Sequence, residues 1–454
     1  TGGMKSDSEG ESDDLNSVTD ENYRQNESKL FSNSVNYVYA NIPKLNLENV
    51  IVDYKTLYKK YKLDKPSWYE NVRFLPEDFM KFKKDSSKVV SYLVKEFELR
   101  KNAEQMKKAT TSKSGDLDLN RIFSYKFNED IFKKLTVVPG AKSHGLVMFI
   151  DWSGSMHYHL MNTIKQLLNL SFFCKKVNIP FEVYAFKQYS FENKPSSTPK
   201  AGDLQIQPFS LMNLLSSKMS AAEFAEAGAA LFAMGTYPGE IPSFMQLNST
   251  PLNESVIAAM QIVPEFQKRN KLQIVNTVFL TDGEGDSINY VYNDAGCPQT
   301  VREWQDYYTR TRNVMVIRDP VTKREVKLTD ITSRMQQTQV LVELMKYRTH
   351  SNVLGFYIIS YSEFKKYGAK FFNNYWEEGD TIRSKFNKEK SIVTENGAFD
   401  EYYLMKSDKK TLDDEEELVV KSNTTKGLVS AFNKYNNNKV FNRGVLNRFI
   451  GMIS

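Results

Sequence analysis

Within one step of Ile150 the chain changes from apolar residues to oxygen-bearing ones: Leu146-Val-Met-Phe-Ile150 is followed by Asp151-Trp-Ser153-Gly-Ser155. A carboxylate and two hydroxyls at alternate positions on a Gly-containing turn can converge on one point. Hard oxygen donors of this kind suit a divalent cation such as Mg²⁺. The apolar run before them reads as a strand buried on both faces, so the three side chains fall where a central strand becomes a loop. Two further stretches have the same character. Ile274 to Leu280 is a second buried-strand pattern that ends in Thr281-Asp282-Gly283, and Ser249-Thr250-Pro251 opens a helix with Leu252, Val256, Met260 and Val263 at helical spacing. Taken singly, Asp151 and Thr250 also fit helix caps and Asp282-Gly283 a turn. Their joint occurrence, each at a strand end or helix start, favours one shared site.

Asp151-Trp-Ser153-Gly-Ser155 resembles the Asp-x-Ser-x-Ser motif of von Willebrand factor A (VWA) domains, and the other two stretches resemble that family's Thr-Pro-Leu and Thr-Asp-Gly elements in the family's order. The resemblance implies an α/β fold, a Rossmann-like, doubly wound, mostly parallel sheet carrying a metal-ion-dependent adhesion site (MIDAS). It further implies that Asp151, Ser153, Ser155 and Thr250 ligate Mg²⁺ or Mn²⁺, with Asp282 more distant and bonded through water. An open coordination position would then attract an acidic residue donated by a partner protein.

A second resemblance covers the helix beginning near Leu75, the Gly115-x-Leu-Asp-x-x-Arg121 segment and the short strand from Ile131 to Leu135. These are similar to the region preceding the VWA domain in the cobalt-chelatase CobT-like and MoxR-associated VWA proteins. What this implies is a metal-dependent binding subunit that works beside a separate AAA+ ATPase of CobS or MoxR type, in a chelatase-like or protein-remodelling complex. It would be cytoplasmic in a bacterial or phage-infected cell. The alternative is a VWA binding module of a structural or host-interaction assembly, such as a virion, without an ATPase.

Other chemistries lack their residues. The four histidines, His144, His157, His159 and His350, form no His-Glu-x-x-His spacing and no Ser/His/Asp order, and no Walker Gly-x-x-x-x-Gly-Lys-Ser/Thr occurs. No catalytic residue is therefore expected, although His157 and His159 stand close enough to the metal loop to contact a partner. Cys174 and Cys297 have no metal or redox spacing and suit a reducing compartment. No apolar run approaches the roughly 20 residues of a membrane span, and the opening Thr1–Lys5 has no signal-peptide core. Residues 1 to 30 carry a balance of −5 within a net charge of +6, which leaves a basic remainder. Its lysines are scattered rather than gathered in a stripe, so nucleic acid is not the expected partner.

Composition divides the chain into an acidic, apolar-poor segment over 1–33, a helical and extended region over 34–140, and a VWA domain over 141–454. The 34–140 region holds many tyrosines and Trp68 among charged residues, suggesting arms that lie on a neighbour. From Leu75, Pro76 and two acids open a helix whose apolar face is Val89, Val90, Leu93, Val94 and Phe97. Insertions are expected at 189–218 and 283–350, the second with a hairpin of Asn313–Ile317 and Glu325–Leu328 around Asp319-Pro320. An acidic block, Asp413 to Glu417, and an amphipathic helix with Val445, Leu446, Phe449, Ile450 and Ile453 close the sequence.

Overall fold

The computed structural model describes residues 35–63, 75–108, 110–117, 132–137, 143–189, 194–302, 304–306, 311–372, 375–394 and 397–407. The expected acidic segment over 1–33, the acidic block and the closing helix lie outside these residues.

The chain opens with β1 (Val35–Asn41), α1 (Leu47–Val50), β2 (Ile51–Val52), α2 (Tyr54–Leu63) and α3 (Leu75–Lys108). The last begins with Glu77 and Asp78 in its first turn, as read from the sequence, and buries Val89, Val90, Leu93, Val94 and Phe97. An antiparallel pair, β3 (Thr110–Leu117) and β4 (Phe132–Val137), follows. Next come β5 (His144–Asp151), α4 (Leu160–Lys176), β6 (Phe181–Gln188), β7 (Phe209–Ser216), α5 (Ala221–Thr236), α6 (Leu252–Asn270) and β8 (Ile274–Thr281). The remainder comprises β9 (Tyr290–Tyr292), β10 (Pro298–Thr300), β11 (Trp304–Asp306), β12 (Thr311–Arg318), β13 (Glu325–Leu328), α7 (Arg334–Thr349), β14 (Asn352–Ser360), α8 (Tyr361–Tyr367), α9 (Tyr375–Glu389), β15 (Ser391–Thr394) and β16 (Glu401–Ser407).

An eight-stranded sheet in the order β15-β16-β14-β8-β5-β6-β7-β2 organises these elements. Its middle is parallel: β6, β5, β8, β14 and β16 run the same way, while β15 is antiparallel to β16, β7 is antiparallel to β6, and β2 runs parallel to β7. Residues 145–151 of β5 are all buried, which explains the apolar run on both faces. Alternate residues serve two cores. Leu146, Met148 and Ile150 face a cluster with α2, α3, α4 and α5, whereas Val147 and Phe149 face one with α6 and α7. A third cluster under α8 and α9, containing Phe364, Phe371 and Phe386, closes the β16 side. This is a mixed α/β fold with a large, mostly parallel sheet.

Sequence expectation and structure differ at the two insertions. The 189–218 segment ends in β7, whose residues are all buried between β6 and β2. The Pro- and Gly-containing run at 195–202 made the whole stretch read as a loop, yet Phe209, Leu211, Met212, Leu214 and Leu215 all join the core. Likewise the 283–350 segment ends in α7, which packs Leu341, Leu344 and Met345 on the sheet. Its hairpin forms as read, with β12 and β13 antiparallel from Met315↔Leu328 to Arg318↔Glu325. The tyrosine-rich β1 pairs in parallel with β12, and β2 pairs with β7, so these N-terminal arms lie on their own chain.

Candidate metal centre

Asp151 is the last residue of β5 and is 0% exposed. Parallel pairing sets Ile150 opposite Leu280, which brings the end of β8 alongside. The Thr281 hydroxyl donates to Asp151 Oδ2 at 2.6 Å, and the Ser153 backbone N–H donates to Oδ1 at 2.9 Å. Beyond this pair the chain makes a 3-10 turn over Gly154–Tyr158. That turn sets Ser153 Oγ 2.9 Å from Ser155 Oγ, and Ser155 Oγ donates to Asp282 Oδ1 at 2.7 Å. Four of the five expected residues therefore meet in one hydrogen-bonded group spanning two strand ends.

Thr250 stands outside this hydrogen-bonded group and is brought beside it by a different route. The buried Trp152 indole donates to the Met245 carbonyl at 2.6 Å. Two backbone bonds, Gly154 N–H to Asn248 O at 2.7 Å and Asn248 N–H to Trp152 O at 3.1 Å, lash residues 245–248 to the loop after β5. Thr250 follows immediately, nearly buried, with its hydroxyl 3.8 Å from where a Cβ on Gly283 would stand. Its carbonyl accepts from the N–H groups of Leu252 and Asp286, and the Asn253 side chain donates to Asp286 O at 2.7 Å while accepting from Thr338. The start of α6 and the loop after β8 are thus held as one unit.

Burial pushes the Asp151 carboxyl up to about 7, with the nearby charge of Asp282 adding to the shift and the bonds from Thr281 and Ser153 opposing it. Asp282 rises to about 6, chiefly from burial, against the bond from Ser155. Neither carboxylate has an ion pair among the described residues. Two buried acids bridged by the Ser153 and Ser155 hydroxyls, with no ion pair among the described residues, make a donor set that a hard divalent ion fits, since its charge would offset the burial that raises both carboxyls.

The two histidines near the turn are placed differently. His157 is exposed against Tyr158, with ring centroids 5.3 Å apart, and both ring nitrogens of His159 lie 3.4 Å from Ser407 Oγ. Sequence reasoning assigned no role to Thr281, Trp152, Asn248 or Asn253, because each acts by a long-range contact that no local pattern reveals. Glu254 lies in the first turn of α6. It is 1% exposed, its Oε2 has no hydrogen-bond partner, and burial drives its carboxyl up to about 8.

No protein-family model matches this chain, and neither does any curated protein. Among solved structures it is similar to the pilus adhesin SpaC of Lactobacillus rhamnosus GG, at 13% identity and a TM-score of 0.26, over 48% of this chain and 25% of that one. It is also similar to the type V pilus tip protein Mfa5 of Porphyromonas gingivalis, at 9% identity and a TM-score of 0.25, over 55% of this chain and 48% of the other. For the human COPII-coat protein Sec24c the values are 8% and 0.22, over 49% and 27%. This chain spans about half or less of each of those chains, and likeness of this size identifies neither a family nor a function.

Proposed function

We propose that this chain is a VWA-type binding module on a doubly wound sheet, with Asp151, Ser153, Ser155, Thr250 and Asp282 forming a MIDAS for Mg²⁺ or Mn²⁺. The observation that carries the reading is the Ser153–Ser155–Asp282 hydrogen-bonded group, which joins the ends of β5 and β8 beside a buried Asp151 that has no cationic partner among the described residues. A bound divalent ion would supply an electrophilic position for a carboxylate of a partner protein. The protein's own residues do the rest: the two serines and Thr250 offer neutral oxygens, Asp151 fixes the loop through Ser153 N–H, and Thr281 orients Asp151. With few charged ligands in direct contact, the ion keeps charge for the incoming acid.

In this reading the chain makes and breaks no bonds itself. It works in the cytoplasm as the recognition subunit of a CobS- or MoxR-type AAA+ ATPase, a coupling supported by the sequence resemblance rather than by the site. The test is affinity capture from native lysate with Mg²⁺ and with EDTA, comparing wild type with Asp151→Asn. Recovery of an AAA+ ATPase only with the intact site and Mg²⁺ is the expected result. A metal-dependent structural or surface protein in its place would establish the alternative, a binding module of an assembly without an ATPase. Capture indifferent to both EDTA and the substitution would overturn metal-bridged recognition.

A further inference from the structure

Beside the candidate metal centre lies a half-open hollow whose water-accessible space is about 30 Å³, within about 400 Å³ when the space open to solvent is counted. Gly283 and Leu252 belong to its wall, and both are tied to the centre: Gly283 follows Asp282, while Leu252 N–H bonds the Thr250 carbonyl. The opposite wall is aromatic. Phe399 stacks on Tyr402 with centroids 4.8 Å apart, Tyr357 packs on Phe371 at 5.5 Å, and Met335 completes the cup. Its one acidic lining residue, Glu284, is paired with Lys370 at 2.8 Å. The Tyr357 phenol, buried and then near the charges of Glu284, Asp282, Glu363 and Asp151, stays neutral. The cup is therefore mostly apolar, with Thr338 and Gln339 as neutral polar lining and its one acid, Glu284, paired to Lys370, and it adjoins the candidate site for a partner's acid. Its chemistry excludes a second charged group and matches one hydrophobic side chain.

We propose that this hollow receives an aromatic or long aliphatic side chain carried within one or two residues of the carboxylate that binds at the metal centre. The ligand class is then an acidic-apolar peptide segment and not an isolated acid. This rests on the metal-dependent reading of Asp151 and its neighbours. Burying one large apolar side chain strengthens binding by roughly tenfold or more.

The test titrates the full chain in Mg²⁺ with acetylated, amidated peptides: Gly-Asp-Phe-Gly and Gly-Phe-Asp-Gly against Gly-Asp-Ser-Gly and Gly-Asn-Phe-Gly. Chemical-shift changes and the Mg²⁺-induced rise in Tm are followed together. One of the two Asp/Phe peptides is expected to bind roughly tenfold or more tighter than Asp-Ser, with Asn-Phe weak and EDTA removing the difference. Gly397→Leu should fill the hollow, because a Cβ there meets the nearest atom, on Tyr402, at an ordinary 3.5 Å. That variant should keep the Mg²⁺-induced rise in Tm and bind Asp-Phe no better than Asp-Ser. Equal affinity of the Asp/Phe and Asp-Ser peptides in wild type, or no binding of either Asp/Phe order, overturns the hollow while leaving the ion site standing if Mg²⁺ still raises Tm. Equal binding of Asn-Phe in EDTA overturns the joint site, and loss of any Mg²⁺ response overturns the metal reading beneath it.

Discussion

Asp151 lies where burial favours a proton and the proposed ligation would require its loss. With its carboxyl raised to about 7 and that of Asp282 to about 6, the folded metal-free protein holds protons that the unfolded chain releases near pH 4. Because the native state binds the extra protons, stability of the metal-free fold falls as pH rises from about 4 to about 7. A cation must displace those protons, so Mg²⁺ affinity should climb over the same window. The Mg²⁺-induced rise in Tm is expected to be small at pH 5.5 and clear at pH 8; an equal rise at both would contradict the placement. Thr281→Val removes the donor to Asp151 Oδ2 and is expected to weaken Mg²⁺ about 10- to 100-fold with the fold intact, measured by calorimetry. Glu254, pushed to about 8 by burial, follows the same sign. Its stability deficit grows from about pH 4.5 to pH 8, so Glu254→Gln should be neutral at pH 5. At pH 9 the substitution should stabilise by up to the order of 5 kcal/mol in chemical denaturation.

At the level of elements, the site is a consequence of parallel pairing. Strands β5 and β8 end side by side, and the start of α6 is held to the loop after β5 through Trp152 and Asn248 and to the loop after β8 through Asp286 and Asn253. The sequence made this legible because strand ends and helix starts carry their own punctuation: an apolar run giving way to Asp151, another to Thr281-Asp282-Gly283, and Thr250-Pro251 ahead of a helical period. β7 escaped because its polar members, Ser210, Asn213 and Ser216, are buried and interrupt an apolar pattern that follows a Pro/Gly-containing stretch. Glu182 accounts for one of them, since the Asn213 amide donates to its carboxylate at 2.9 Å across the strand pair. Phe149 shows what holds the central strands in place, stacked on Phe279 at 5.0 Å and Tyr184 at 5.6 Å with no exposed surface. Phe149→Ala is expected to cost about 3–5 kcal/mol in denaturant unfolding, and a cost under 1 kcal/mol would count against this packing.

Across the whole molecule, the N-terminal region and the sheet form one packed body among the described residues. β1 pairs with β12, β2 adds to the sheet edge, and α2 and α3 cover the first core. Alternating aromatic and charged residues announced arms that must lie on something, but periodicity cannot name a partner that is hundreds of residues away. A chain starting at residue 42 is expected to melt several degrees below one starting at Val35, because Met315 and Ile317 lose the strand that shields their edge. No helix among the described residues is long and apolar enough to cross a membrane.

Metal-bridged recognition requires one ion at one place, and the most direct measurement is calorimetric titration of Mg²⁺ into wild type and Asp151→Asn at pH 8, with Tm recorded for both. Asparagine keeps an acceptor for Ser153 N–H and removes the charge. The prediction is one Mg²⁺ per chain in wild type and no measurable binding in the variant, which stays folded. Absence of binding in wild type, or equal binding in Asp151→Asn, would contradict the metal centre and the recognition mechanism built on it.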